Sequence, residues 1–267
     1  EASWAMAVDG SGNAYIAGAT AGSIGGPKVG KSDAFLVKFS NDGSVLWARQ
    51  LGSNTYDSCR GVTVDDFGNV YICGATQGDL GGPHVGEWDT FLAKYSEAGD
   101  LLWVRQLGTP ETDWSHSVAV DALGNVCVTG NTAGSFAGPN AGDWDMFLAK
   151  FDKEGVLLWS RQIGTSDHDE SKGVAVNASG QIFIAGRTKG VLADANAGEA
   201  DCFLAKFDPD GTIVWSRQMG TERSDHGEAL AVDCQGNVYM GGDTGGSLAG
   251  TSLGETDIFL MKFAAPS

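Results

Sequence analysis

Apolar-rich runs of strand length alternate with turn residues along the whole chain, and the alternation has a constant period. Within one period, residues 60–65 (RGVTVD), 70–76 (VYICGAT), 89–95 (DTFLAKY) and 101–107 (LLWVRQL) are rich in Val, Ile, Phe, Tyr and Trp. Such runs, bounded by turn residues, predict four short strands, a to d. The a–b connection reads Asp-x-x-Gly-Asn, as in Asp65 to Asn69, and the c–d connection carries Gly43, Gly99, Gly155 or Gly211. Both are hairpin chemistry, with Gly or Asn taking positive φ.

The period is 56 residues. Gly18, Gly74, Gly130, Gly186 and Gly242 keep this step, as do Asp33, Asp89, Asp145, Asp201 and Asp257. Trp47, Trp103, Trp159 and Trp215 keep it too. No insertion breaks the register, so residues 1–267 read as one domain of five repeats. A four-stranded sheet with two apolar faces needs cover on both, which blades stacked around an axis provide. The expected fold is all-β: a five-bladed β-propeller of four-stranded antiparallel blades, with strand a innermost. Small residues suit that crowded strand: Ala5, Gly61, Ser117, Gly173 and Ala229 share one position. The chain stops after strand c of the fifth repeat, so the last blade is expected to lack its outer strand.

The run VDDFGNVYICG, followed by Asp-x-Phe-Leu-x-Lys-Phe, resembles the SBBP β-propeller repeat, and its first half is similar to the NHL repeat. The resemblance recurs along the whole chain. It implies a propeller scaffold of secreted or surface proteins, extracellular or on the cell surface, in bacteria and archaea. It implies no catalytic residues, because such scaffolds carry diverse roles.

Composition narrows the partners. The formal charge of −17 repels phosphate backbones and argues against nucleic acid. Divalent cations or a basic protein surface fit better. No apolar run approaches the roughly 20 residues that span a membrane. The chain begins at Glu1 with no signal-peptide pattern, as a processed or trimmed chain would. Cys59, Cys73, Cys127, Cys202 and Cys234 occupy five different repeat positions, form no metal knuckle and read as small buried hydrophobes. His84, His116, His168 and His226 show no zinc spacing and no Ser-His-Asp arrangement.

Candidate chemistry lies where the b–c and d–a loops gather, at one end of the blades. The Asp33 column opens strand c there, and Arg49, Arg105, Arg161 and Arg217 of strand d are placed to form cross-strand ion pairs with it. A second acidic column, Glu1, Asp57, Asp113, Asp169 and Asp225, precedes strand a. Converging on an axis, these carboxylates could hold Ca²⁺, which takes 6–8 oxygens; the alternative is that each caps its own loop. The Asp9, Asp65, Asp121, Asn177 and Asp233 column suits Asx-turns, and the Trp47 column suits packing between blades.

Departures from the repeat point to a ligand. Trp88 and Trp144 share a b–c loop position where other repeats have Ser32, Ala200 and Thr256, and Trp114 stands alone. With Glu87 and Asp143 beside them, these aromatics suit sugar stacking and hydroxyl hydrogen bonding; the alternative is that they shield loop backbone. Glycoside hydrolysis is the remote alternative, since near-equivalent acids do not make the unlike pair that reaction needs. The chain is therefore expected to be non-enzymatic. The last strand, Ile258, Phe259, Leu260, Met261, Lys262 and Phe263, presents an uncovered edge that invites another chain, or a second copy, into an oligomer or filament. An assembly subunit is the first expectation, and a glycan- or protein-binding module the second.

Overall fold

The computed structural model describes residues 1–248 and 250–265. The first blade is β1 (Ala2–Val8), β2 (Ala14–Thr20), β3 (Asp33–Phe39) and β4 (Val45–Leu51). The second is β5 (Asp57–Val64), β6 (Val70–Thr76), β7 (Asp89–Tyr95) and β8 (Leu101–Leu107). The third is β9 (Asp113–Val120), β10 (Val126–Thr132), β11 (Asp145–Phe151) and β12 (Leu157–Ile163). The fourth is β13 (Asp169–Val176), β14 (Ile182–Thr188), β15 (Asp201–Phe207) and β16 (Ile213–Met219). The fifth is β17 (Asp225–Val232), β18 (Val238–Thr244) and β19 (Asp257–Phe263). In each sheet the strands lie in chain order, giving four four-stranded sheets and a last one of three strands. This is the expected five-bladed β-propeller repeat, with β19 as the free edge of the fifth blade.

The chain packs as two compact units, Glu1–Val128 with Phe151–Leu157, and Thr129–Lys150 with Leu158–Ser267. In the first unit, Ala34 and Leu36 of blade one pack with Val70, Ile72 and Phe91 of blade two in a single core. In the second, Cys202 and Leu204 of blade four pack with Val238, Met240 and Phe259 of blade five. The first strands of successive blades lie side by side: β1 with β5 and β5 with β9 in one unit, β13 with β17 in the other.

Hairpin chemistry follows the sequence, with one narrowing. Every non-terminal turn position with positive φ is a glycine, such as Gly43 (86°) and Gly68 (81°), and no described non-glycine residue takes that region. The Asp9 column forms Asx-turns: Asp65 Oδ1 accepts the N–H groups of Phe67 (3.0 Å) and Asn69 (2.8 Å).

The Trp47 column does pack between blades, and its neighbouring arginines join it there. Trp103 Nε1 donates to the carbonyl of Lys153 at 3.3 Å. Arg105 lies over the Trp103 ring at 5.3 Å and donates to the carbonyls of Gly155 (2.8 Å) and Glu154 (2.9 Å), in the c–d turn of the next blade. Trp47 with Arg49 and Trp159 with Arg161 repeat this clasp. The expected Asp–Arg pair is corrected accordingly. Arg49 stands opposite Leu36, on the other face of the sheet from Asp33. Asp33 instead accepts from Val29 N–H (2.8 Å), Gly30 N–H (2.9 Å) and Gln50 Nε2 (2.7 Å).

None of the five cysteines is joined in a disulfide. Cys59, Cys73, Cys127 and Cys202 are buried as expected, but Cys234 is exposed in a turn. Burial pushes the Cys59 thiol well above its ordinary value and those of Cys73 and Cys202 up to about 12. A thiol-specific reagent at pH 8 should therefore label one cysteine quickly in the native protein and the rest only on unfolding. Cys234→Ser should remove the fast phase.

Candidate functional site

The first strands of blades one, two, four and five contain the feature that builds the site. Pairing between the first and second strands breaks register between Ser3 and Ala5, Cys59 and Gly61, Ser171 and Gly173, and Gly227 and Ala229. The extra residues are Trp4, Arg60, Lys172 and Glu228, one repeat position that is different in every blade. A bulge takes its residue out of the ladder and re-aims the side chain, and bulges concentrate beside functional sites.

In the first unit this re-aiming gathers aromatic rings around a cation. The Arg60 guanidinium lies 5.1 Å from the Trp4 ring centre and 4.6 Å from that of Trp114. Trp114 in turn meets Trp88, with ring centres 4.8 Å apart at 45°, and stacks near His116 at 6.5 Å. Glu87 accepts a hydrogen bond from Thr112 Oγ1 at 3.2 Å, in the loop that carries Trp88. Among the described residues Arg60 pairs with no carboxylate. Its Nε is buried without a hydrogen-bond partner, and burial lowers its pKa.

In the second unit the corresponding positions neutralise one another. Glu170 receives Arg187 at 2.8 Å, Lys172 at 3.3 Å and His168 Nε2 at 3.4 Å. Trp144 lies against His168 at 6.2 Å, and Asp143 is 3.8 Å from His168 Nδ1. His226 faces Asp243 at 3.2 Å through Nδ1 and Arg187 at 3.2 Å through Nε2. His226, Glu228 and Asp243 bring potential ligand atoms within 4.8 Å of one another. They fit a metal ion poorly. Arg187 can only donate, so His226 Nε2 accepts, and the ring proton then sits on Nδ1, turned to Asp243. A metal at Nδ1 would have to displace that proton beside a guanidinium.

The Ca²⁺ reading of the second acidic column meets a different geometry. Asp57 is fully buried and accepts from Ser53 N–H (2.6 Å), Ser53 Oγ (3.0 Å) and Thr76 Oγ1. Asp113 accepts from Thr109 N–H and Oγ1, Asp169 from Thr165 and Thr188, and Asp225 from Thr221 and Thr244. Glu1 receives Thr20 Oγ1 at 3.4 Å. Asp57, Asp169 and Asp225 thus each cap the loop and second strand of their own blade, Asp113 caps its loop, and no member of the column joins a metal-ligating cluster among the described residues. Desolvation explains the difference: a side chain turned inward to satisfy buried N–H and O–H groups is not available at a channel mouth.

Of the aromatic residues singled out by sequence, Trp88 and Trp114 come together, while Trp144 belongs to the other unit with His168. Trp4 and Arg60 were missed. Their signal was present as three columns that vary inside otherwise repetitive strands. These are Ala2/Ser58/Trp114/Glu170/His226, Trp4/Arg60/His116/Lys172/Glu228 and Ala19/Ala75/Asn131/Arg187/Asp243.

In the last strand, Phe259 is buried and Met261 and Phe263 pack on the same fourth-blade core. Ile258 and Leu260 face the other way and are 92% and 74% exposed. The equivalent residues of earlier blades, such as Cys202 and Leu204, are 0% exposed. Blade one exposes the opposite kind of face: Met6 is 68% exposed, whereas its equivalents Val118 and Val174 are 6% exposed. The uncovered apolar feature is therefore a sheet face as well as a strand edge, and each terminal blade has one.

Comparison with curated proteins gives two long matches. Over 237 residues the chain is 27% identical to the regulatory protein FlaEY of Caulobacter vibrioides, covering 80% of this chain and 24% of that protein. Over 234 residues it is 23% identical to the uncharacterised WD repeat-containing protein L264 of Acanthamoeba polyphaga mimivirus, covering 68% of this chain and 17% of that one. The chain thus spans about a quarter or less of these relatives. Among solved structures, a gluconolactonase from Xanthomonas campestris superposes with a TM-score of 0.50 at 12% identity, covering 98% of this chain and 75% of that chain. A Bacteroides caccae protein of unknown function gives 0.51 at 11% identity, covering 89% and 69%. At such identities the likeness is one of fold alone. The model of the SBBP β-propeller repeat matches three stretches of this chain, residues 46–81, 102–137 and 214–249, each running from the outer strand of one blade into the next.

Proposed function

We propose that this chain is a non-catalytic assembly module whose terminal blades stack on blades of another copy. The observation that carries the reading is the exposure of Ile258 and Leu260, at 92% and 74%, where equivalent side chains in the other blades are buried. Met6 and Val8 of blade one, at 68% and 57%, supply the complementary half. Within each unit, one blade's Leu36-type face already packs on the next blade's Ile72-type face. The two uncovered faces are the two halves of that same junction, so a second copy can join head to tail. Such a contact is heterologous and propagates unless it closes.

Sedimentation velocity tests this directly. The unmodified chain should associate with rising concentration. Met6→Asp and Leu260→Asp should each block one face, leaving monomers or, when mixed, a 1:1 pair through the two intact faces. Strict monomers of the unmodified chain at high concentration, or no pairing of the mixed variants, would sink the proposal.

A ligand-binding role is the second reading, and the contact between Trp88 and Trp114 supports it. Two indoles at a loop end, with Glu87 and Thr112 beside them, form an aromatic and polar surface of the kind that takes sugars.

A further inference from the structure

We propose that Arg60, held between Trp4 and Trp114, binds the carboxylate of an acidic sugar, a uronate within a glycan, whose ring stacks on the indoles. The inference rests on the ligand-binding reading above and names the class of ligand. Four observations converge on it. Arg60 is the bulge residue of β5, so its side chain leaves the ladder instead of pairing within the sheet. It has no carboxylate partner among the described residues, in a chain with 34 acidic and 17 basic side chains, Lys and Arg together. Lys172, at the same position two blades on, is matched by Glu170 at 3.3 Å. Arg60 Nε is buried without a hydrogen-bond acceptor. A guanidinium left in that condition carries a desolvation cost that a bound anion removes.

The rings decide what kind of anion. Indole faces stack on the C–H face of a pyranose and exclude water from an adjacent ion pair. Trp4 is 48% exposed, which leaves the site open on one side. The planar guanidinium fork matches a carboxylate in two parallel hydrogen bonds. Polyphosphate ligands are disfavoured by the net charge of −17, whereas a single carboxylate per sugar is tolerated.

Tryptophan fluorescence titration with oligogalacturonate, a neutral galactose oligosaccharide and acetate tests the proposal. The uronate should quench with saturation, and the neutral sugar should bind at least tenfold more weakly. Arg60→Gln should weaken uronate binding at least tenfold, with Arg60→Lys recovering part of it and Trp144→Ala leaving it unchanged. Trp4→Ala, at a half-exposed position, carries the same expected loss should Arg60→Gln not fold. Equal binding of both sugars, insensitive to Arg60→Gln, overturns the anionic assignment but spares the ligand reading. Acetate binding as tightly as the oligosaccharide overturns the sugar. No saturable binding by either sugar overturns both readings.

Discussion

Gly242→Ala is expected to destabilise the protein by at least about 3 kcal/mol, while the adjacent Gly241→Ala leaves it nearly unchanged. A Cβ on Gly242 would sit 1.9 Å from the His226 carbonyl oxygen and 2.8 Å from Phe259. Backbone cannot yield as a flexible side-chain tip can, so strands β17 and β18 would have to separate beside the bulge. A Cβ on Gly241 meets nothing closer than 3.9 Å. The corresponding positions already hold Ala17, Cys73 and Ala185, all buried. The same contrast should hold at Gly74, where a Cβ would lie 1.9 Å from the Ser58 carbonyl oxygen. Thermal unfolding should report a fall of roughly 6–12 °C for Gly242→Ala or Gly74→Ala, since about 1 kcal/mol moves a chain of this size by 2–4 °C. A fall no larger than that of Gly241→Ala would show that the bulged strand adapts.

These glycines also show how far the sequence could be read. The glycine column was plain as a 56-residue period, but its cause was not. The cause is a bulge in the neighbouring strand that presses a carbonyl onto the glycine Cα, and a bulge inserts no residue type of its own. For the same reason strands b, c and d of the second blade fall at their expected limits, whereas strand a begins at Asp57 instead of Arg60. Asp57 looked like a loop carboxylate, yet it opens the strand because Ser53 and Thr76 donate to it. The arginine column was assigned to the wrong face. Strand register by one residue exchanges the faces of a sheet, and Arg49 consequently reaches the next blade's turn instead of Asp33. The aromatic site was half legible. Trp88 and Trp114 stood out as exceptions in loops, but Trp4 and Arg60 lie inside a strand whose outward aim only pairing reveals.

The buried acid column leads to the second large effect. Asp57→Ala should cost about 3–4 kcal/mol in urea unfolding, because the Ser53 N–H and the Thr76 hydroxyl lose their acceptor inside the protein. Asp57→Asn should cost about 1 kcal/mol at neutral pH, since the amide oxygen can still accept from Ser53 and the amide can donate to Thr76. The pH dependence separates charge from hydrogen bonding. Burial raises the Asp57 carboxyl above its ordinary value, and hydrogen bonds from Thr76 and Ser53 offset only part of that. Between its unfolded and folded pKa values the folded chain binds the extra proton, so this stabilising contribution is full below the unfolded value and is lost as pH rises through the folded one. Asp57→Asn cannot titrate, and the stability of the unmodified protein relative to it should therefore grow as pH falls from neutral through the carboxylate range. Asp33 behaves in the opposite sense. Burial alone would raise it, but the N–H groups of Val29 and Gly30 and the amide of Gln50 hold it below its ordinary value. Its contribution is present above the unfolded pKa and is lost as pH falls through the folded one, so the advantage over Asp33→Asn should shrink on acidification. Opposite slopes for the two variants are the expected result, and parallel slopes would mean that the two acid columns share one environment.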